Sequence, residues 1–234
     1  MGGIWLLLLL IVISALPVFL VLLWFRLARF PFSRLTCLCA LLAGAVSLFP
    51  ALLLQRFFAG FSWPPGRWDN LVYTFIRIAL TEELSRLLVL GAFFFISGKL
   101  QKDDDFPPAV DGGGDFARSG GSVAWGAAAG LLAGLGFAML ESAAYSAADF
   151  RIPLGRIFTA APLHGACGAR IGSALLVFRE QPRRAVFRFF SAVIIHGIYN
   201  FMIIKSGFSS LLAVLIVLSA LASSVIEIRG GMKH

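Results

Sequence analysis

Long apolar segments alternate with short polar segments along almost the whole chain. Seven of the apolar segments have the length of a membrane-spanning helix, which takes about 20 residues. The pattern therefore predicts an all-α, polytopic membrane protein built as a helical bundle of about seven transmembrane helices. The predicted spans are 4–25, 35–54, 71–98, 123–147, 157–178, 186–204 and 208–228.

A polar segment separates the third predicted span from the fourth. Residues 99–122 contain three consecutive aspartates at 103–105, two adjacent prolines and two clusters of glycine. The aspartates suggest a divalent cation site, but this composition is more typical of a flexible, solvated loop. We therefore predict a loop here and no cation site.

The composition excludes a soluble domain. Hydrophobic residues make up 59% of the chain and charged residues 14%, whereas soluble domains carry roughly 25% charged residues. The net charge of +8 is therefore attributed to a membrane surface and not to nucleic acid. The three cysteines lie in apolar segments without metal-ligand spacing, so we predict neither a disulfide nor a metal site on them.

The distribution of Lys and Arg predicts the orientation of the chain in the cell membrane. With an external amino terminus, one side receives twelve of these residues and the other five. Cytoplasmic loops are rich in Lys and Arg, so the first side and the carboxyl terminus are predicted to be cytoplasmic. The cytoplasmic group is Arg26, Arg29, Arg34, Lys99, Lys102, Arg118, Arg179, Arg183, Arg184, Arg188, Arg229 and Lys233; the external group is Arg56, Arg67, Arg151, Arg156 and Lys205.

The third span carries two adjacent carboxylates, Glu82 and Glu83, followed by Arg86. An ionised side chain at the centre of a bilayer costs about 2.5–3.5 kcal/mol, so such residues are functional by default. Arg86 lies three and four residues from the two glutamates and can pair with either of them. The glutamate left unpaired is suited to hold or pass a proton.

Three later spans each carry further polar residues within apolar sequence: Glu141 in the fourth, His164 in the fifth, and His196 with Asn200 in the sixth. His196 and Asn200 are four residues apart and share one helix face. With the predicted orientation, Glu82, Glu141 and both histidines lie about 9–16 Å from the external ends of their spans, at 1.5 Å per residue. Their similar depths predict one shared cavity.

Two further features accompany these polar residues. Arg77, Arg86 and Arg170 also lie within spans, and they are predicted to balance the three glutamates. Glycines at 126, 130 and 134 form a strip at four-residue spacing on which another helix can pack closely.

These residue types are suited to hydrolysis of an amide. A carboxylate beside a histidine can hold a water molecule and remove its proton, and a second histidine with an asparagine can stabilise the oxyanion that forms. The same side chains could instead bind a zinc ion that activates the water. The sequence contains neither HExxH nor GxSxG, and spacing alone leaves both alternatives open.

The ordered motifs resemble the PrsW family of intramembrane proteases. They are Glu82-Glu83-x-x-Arg86, Gly134-x-Gly136-Phe137-x-x-x-Glu141-x-x-x-Tyr145, His164, and His196-x-x-x-Asn200. The similarity covers residues 80–201, and it extends more distantly to the CAAX-protease group and to the scaffold subunit of gamma-secretase. It implies cleavage of a membrane-anchored protein, which for PrsW-like enzymes is typically an anti-sigma factor.

The resemblance also implies a role for each motif. Glu82 and Glu83 would form the general-base pair with Arg86 as their partner, and Phe137 would support the site. Glu141, where CAAX proteases have a histidine, would help to hold the water. His164 would assist or bind a metal, and His196 and Asn200 would stabilise the oxyanion. Arg86 and Ser142 depart from the lysine and asparagine that are common in the family, which has been described both as metal-dependent and as glutamate-dependent.

Two other classes of function remain open at this point: a scaffold without enzymatic activity and a proton-coupled transporter. The absence of an internal repeat disfavours the transporter. The expected partners are membrane lipid and a membrane-anchored protein substrate. The expected organisation is a single membrane domain with two amino-terminal spans in 1–70, the catalytic core in 71–204 and one carboxyl-terminal span in 205–234.

Overall fold

A computed structural model describes Trp5 and residues 12–60, 69–100, 120–146, 151–203 and 208–231. Helices account for nearly all of these residues, and no strand occurs among them. The elements are α1 (Leu16–Leu27), α2 (Arg34–Ala59), α3 (Asp69–Val72), a π-helix (Tyr73–Leu80), α4 (Thr81–Leu100), α5 (Gly120–Ser146), α6 (Arg151–Phe158), α7 (Ala160–Val177), α8 (Pro182–Ile203) and α9 (Phe208–Gly231).

The prediction of an all-α, polytopic membrane protein is confirmed. In the described part of the chain, α2, α5, α8 and α9 are each long and apolar enough to cross a membrane, and Val12–Leu27 is a shorter apolar helix. Many large apolar side chains on α1, α2, α8 and α9 are exposed on the outside of the bundle, where lipid would cover them. The predicted loop at 99–122, including its aspartates, lies mostly outside the described residues.

α5 forms the centre of the bundle. In the most apolar stretch of α5, 83% of the residues are buried, whereas in those of α2, α8 and α9 the buried share is 28% each. Small residues make this possible because they allow neighbouring backbones to approach. A Cβ added to Gly136 would lie 2.2 Å from the Leu41 carbonyl oxygen of α2, and one added to Gly44 of α2 would lie 1.7 Å from that of Ala133.

The predicted glycine strip of α5 packs against α7. A Cβ added to Gly130 would lie 2.0 Å from the Gly168 carbonyl oxygen, and one added to Gly134 would lie 1.9 Å from that of His164. Each is far closer than any real van der Waals contact. The strip therefore sets the position of α7, and with it the position of His164.

We expect Gly130→Ala to destabilise the protein, because the added methyl group would force α5 and α7 apart. The measurement is the apparent melting temperature of the purified protein in detergent. Gly155→Ala is the matched control, because a Cβ there meets nothing within 4 Å, and alanine favours a helix by about 1 kcal/mol over glycine. Equal melting temperatures for Gly130→Ala and Gly155→Ala would contradict this packing.

A π-helix, which the sequence pattern did not predict, leads directly into the two glutamates. Hydroxyl groups satisfy carbonyls along this segment: Thr74 donates to Asn70 O at 2.7 Å, and Thr81 donates to Arg77 O at 2.7 Å. Gly197 of α8 makes room for it, since a Cβ there would lie 2.3 Å from the Phe75 ring. Short π-helical segments occur frequently at functional sites.

The second span is longer than predicted. α2 continues to Ala59, so Gln55 belongs to a membrane helix and not to the segment between the spans predicted at 35–54 and 71–98. This extension brings the Gln55 side chain to the glutamates of α4. Residues 61–68 of that segment, which include Trp63 and Trp68, lie outside the described residues.

Candidate active site

Residues from four helices meet inside the bundle. Glu82, Glu83 and Arg86 come from α4, His164 from α7 and His196 from α8, and each is at most 4% exposed. Glu141 comes from α5, and its side chain is 15% exposed. The shared depth that the sequence predicts for these residues therefore corresponds to contact in the folded protein.

Arg86 is the hub of this cluster. It donates through Nη1 to Glu83 Oε2 and through Nη2 to His164 Nδ1, the latter at 3.2 Å. Its guanidinium lies 4.6 Å over the ring of the buried Phe137, which is also 4.9 Å from the His164 ring. Of the two glutamates that Arg86 can reach by spacing, it thus pairs with Glu83.

The partners of His164 determine its tautomer. A guanidinium can only donate hydrogen bonds, so Nδ1 of His164 accepts the bond from Arg86. The proton of the neutral ring then lies on Nε2, which donates to Glu141 Oε2 at 2.8 Å. His164 thus joins the carboxylate of α5 to the hub on α4.

Arg156 of α6 is a site residue that the sequence analysis missed. It donates to the same Glu141 oxygen as His164, and its Nε donates to Ser142 Oγ at 3.0 Å. The count of positive charges placed Arg156 with the external groups, just before the fifth span. Ser142, where the family commonly has asparagine, supplies a contact to this arginine.

The sequence pattern predicted that three arginines balance the three glutamates, and for Arg77 and Arg170 this prediction was wrong. Arg170 donates to hydroxyls of Ser223 and Ser224 on α9, and Arg77 lies 5.4 Å from the Tyr73 ring. Helix rotation explains the error, because it brings these side chains to partners other than the glutamates of the cluster. Within the described cluster, three carboxylates face two guanidiniums, which leaves one carboxylate without a guanidinium partner.

That carboxylate is Glu82. Gln55 donates to Glu82 Oε1 at 2.9 Å. The other oxygen, Oε2, is buried without a hydrogen-bond partner in the described structure. An ionised oxygen that lacks a donor inside a protein is costly unless a proton, a water molecule or a cation approaches it.

His196 faces this oxygen with a second acceptor. Its Nδ1 is 2.7 Å from Glu83 Oε1 and donates to that carboxylate, so in the neutral ring Nε2 has a free lone pair. Nε2 lies 3.7 Å from Glu82 Oε2, which is too long for a direct hydrogen bond. Two acceptors that face each other at this distance are suited to hold a proton donor or a cation between them.

Three residues of the cluster form a candidate metal site. Glu82, His164 and His196 each offer a ligand atom, and these atoms lie within 4.8 Å of one another. Two imidazoles and one carboxylate are the protein ligands of several catalytic zinc sites, which keep a further position for water or substrate. The unpartnered oxygen of Glu82 and the free lone pair of His196 fit a cation directly, whereas His164 would exchange one of its present contacts.

Asn200 lies one turn after His196 on α8 and is half-buried. Its side chain makes no hydrogen bond to the glutamates, the histidines or Arg86 in the structure as described. The structure therefore places Asn200 beside the cluster and outside its hydrogen-bond network.

Comparison with known proteins identifies one family. Residues 33–224 match the family model described as PrsW family intramembrane metalloprotease. No curated protein and no solved structure matches the chain. The matched range includes α2 and the first 17 of the 24 residues of α9, and it extends beyond the 80–201 segment that carries the motifs.

Proposed function

The chain belongs to the PrsW family of intramembrane metalloproteases. From this premise we propose that it cleaves a membrane-anchored protein, and that its active site contains Glu82, His164 and His196. Family membership identifies a membrane-embedded peptidase and so favours an enzyme over a scaffold or a transporter. One observation supports the location above all others: Glu82 Oε2 is buried, unpartnered and 3.7 Å from a second acceptor, His196 Nε2.

Hydrolysis requires a group that takes a proton from water and later returns it. In the proposed reaction, Glu82 Oε2 accepts a proton from a water molecule as the water oxygen attacks the scissile carbonyl carbon. The protonated Glu82 then donates to the departing amide nitrogen as the carbon–nitrogen bond breaks. The products are a carboxylic acid and an amine, and Glu82 returns to its ionised form.

The neighbouring residues hold this arrangement in place. Gln55 fixes the orientation of the Glu82 carboxylate through Oε1. Glu83, held by Arg86, orients His196 through Nδ1. Glu83 is therefore proposed as a positioning residue, although the family resemblance implies a pair of bases.

Two further roles complete the proposal. Glu141, held by Arg156, orients His164 through Nε2. Asn200 retains its proposed role as an amide donor to the oxyanion, because it lies one turn from His196 on the same helix.

In the metal-dependent form of the proposal, Glu82, His164 and His196 would hold a metal ion, and Glu82 Oε2 would then be a ligand and not the base. When bound, zinc would supply Lewis-acid polarisation of the carbonyl and would make water more acidic. The unpartnered oxygen of Glu82 and the nitrogen and oxygen atoms that the three residues offer support this metal-dependent form of the proposal.

We expect metal removal to abolish cleavage. Purified protein should contain about one zinc ion per chain by elemental analysis. Treatment with a chelator should remove both the zinc and the cleavage of a membrane-anchored reporter, and added zinc should restore both. His196→Ala should lower the zinc content even where activity is unmeasurable. Full activity after removal of all metal would instead support the metal-free form, with Glu82 as the sole activator of water.

The distribution of Lys and Arg supports a proposal for the orientation, and the orientation in turn supports one for the substrate. We propose that the amino terminus is external, that the carboxyl terminus is cytoplasmic, and that the catalytic residues lie in the external half of the membrane. A substrate of the anti-sigma-factor type, anchored by one membrane helix, would present its peptide bond at that depth. Gln55 lies outside the 71–204 segment proposed as the catalytic core, so that segment requires α2 to complete the site.

A further inference from the structure

An open groove runs along the bundle between α2 and the π-helix. Its volume is about 680 Å³, and its polar lining comes from Gln55 and Arg56 on one side and Tyr73 and Arg77 on the other. Leu52 and Ile78 add apolar surface. The groove is therefore a mixed polar and apolar surface, unlike the lipid-facing surfaces of α2.

Gln55 joins this groove to the proposed active site. The side chain lines the groove, and its amide also donates to Glu82 Oε1 at 2.9 Å. A peptide chain lying in the groove would thus be separated from the proposed base, Glu82, only by the Gln55 side chain. Arg56 and Arg77 have no role in the catalytic steps proposed above.

The groove is positively charged. Arg56 is exposed and Arg77 is half-buried, and among the side chains that the structure describes no carboxylate forms an ion pair with either. Arg77 instead lies over the Tyr73 ring at 5.4 Å. A guanidinium pairs well with a carboxylate because its donors match the two oxygens.

We propose that this groove binds an acidic segment of the protein substrate, next to the peptide bond that is cleaved. The inference rests on the proposed function and specifies the class of substrate: a membrane-anchored chain with Asp or Glu near the cleavage site. Arg56 and Arg77 determine this specificity, and Gln55 separates the segment from the catalytic carboxylate.

The spacing along the helix places the acidic residue. Arg77 precedes Glu82 by five residues, which is at most about 7.5 Å along the helix axis, because a π-helix rises less per residue than an α-helix. An extended peptide covers about 3.3–3.6 Å per residue. The carboxylate that Arg77 binds is therefore about two residues from the scissile bond.

The test uses the full-length protein and two matched reporters. Each reporter is a single membrane helix followed on its external side by the same cleavable segment, with two glutamates in one and two glutamines in the other. Binding is measured on the Glu82→Gln protein, which we expect to be inactive, so that affinity is separated from turnover. Cleavage is measured on the unmodified protein.

We expect the glutamate reporter to bind about tenfold more tightly, since two partly exposed ion pairs supply a difference of this order. Introducing Arg56→Gln and Arg77→Gln together should remove the preference. Arg77→Glu should reverse it towards a reporter with lysines. Arg184→Gln is the control, because Arg184 is an exposed arginine of α8 that does not line the groove, and it should leave the preference unchanged.

Equal affinity for both reporters would overturn the inference. So would arginine-dependent retention of phosphatidylglycerol in nanodiscs with unchanged reporter affinity, because the groove would then be a lipid site. Cleavage without charge preference would remove this inference and leave the proposed function in place. Charge-dependent binding with no cleavage of any bound reporter would support this inference and contradict the proposed function.

Discussion

Glu82→Gln is expected to reduce cleavage of a membrane-anchored reporter by a factor on the order of 10³, the scale of a lost general base. The amide has the same size as the carboxylate but cannot accept the proton of water. Its oxygen can still accept the hydrogen bond from Gln55. The substitution leaves both ion pairs of the cluster, Arg86 with Glu83 and Arg156 with Glu141, in place, so the protein should accumulate and melt at least as well as the unmodified chain.

Glu227→Gln is the matched control for this substitution. Glu227 also lies on a membrane helix and also contacts an arginine, Arg188, at 3.0 Å. That pair is separate from the catalytic cluster, so turnover should remain. Unchanged turnover by the Glu82→Gln protein would end the proposed mechanism in both its metal-dependent and its metal-free form.

Arg86→Met is expected to cause the largest loss of stability. The substitution keeps the apolar contact with Phe137 but leaves Glu83 buried without a counter-charge. Breaking a buried ion pair from one side costs about 3–5 kcal/mol. It also removes the donor to His164 Nδ1. The apparent melting temperature in detergent and the fraction of monodisperse protein should both fall.

Two variants make this expectation specific to the ion pair. Adding Glu83→Gln to Arg86→Met should recover part of the lost stability, because the stranded charge is gone. Arg170→Met should cost less, since Arg170 donates to hydroxyls and carbonyls and its loss leaves no buried carboxylate unpaired. An Arg86→Met protein as stable as Arg170→Met would contradict the assignment of Arg86 as the hub.

Arg86→Lys separates the stabilising role of Arg86 from its positioning role. Lysine keeps the positive charge beside Glu83 but lacks the planar fork that reaches Glu83 and His164 together. We expect stability close to that of the unmodified protein with reduced turnover. Full activity would indicate that charge alone is needed at this position, in agreement with the lysine that is common in the family.

Most of the cluster was predictable because burial of charge in a membrane is expensive. Glu82, Glu83 and Glu141 stand out against apolar sequence, and a polar side chain in a span must face the interior of the bundle. Helix rise then gives each one a depth. These two arguments are sufficient to predict that the groups converge, and neither depends on the resemblance to a family.

The pairings within the cluster were not predictable in the same way. Arg77 and Arg170 meet the same criteria as Arg86, yet only Arg86 reaches a glutamate in the described structure. Arg156, which balances Glu141, lies before the predicted fifth span and carries no intramembrane signal. Gln55 has no charge at all, so only its contact with Glu82 identifies it.

The sequence by itself determined that this chain is a helical membrane protein of the PrsW family and which acidic and imidazole side chains lie within its spans. Hydropathy and the cost of buried charge act on each helix separately, and they can therefore be evaluated along the chain. Only the tertiary structure decided that Arg86 pairs with Glu83, that Glu82 keeps an unpartnered oxygen facing His196, and that a basic groove reaches Gln55. Those features depend on how each helix is rotated about its axis against its neighbours, and close glycine contacts such as Gly134 against His164 set that rotation.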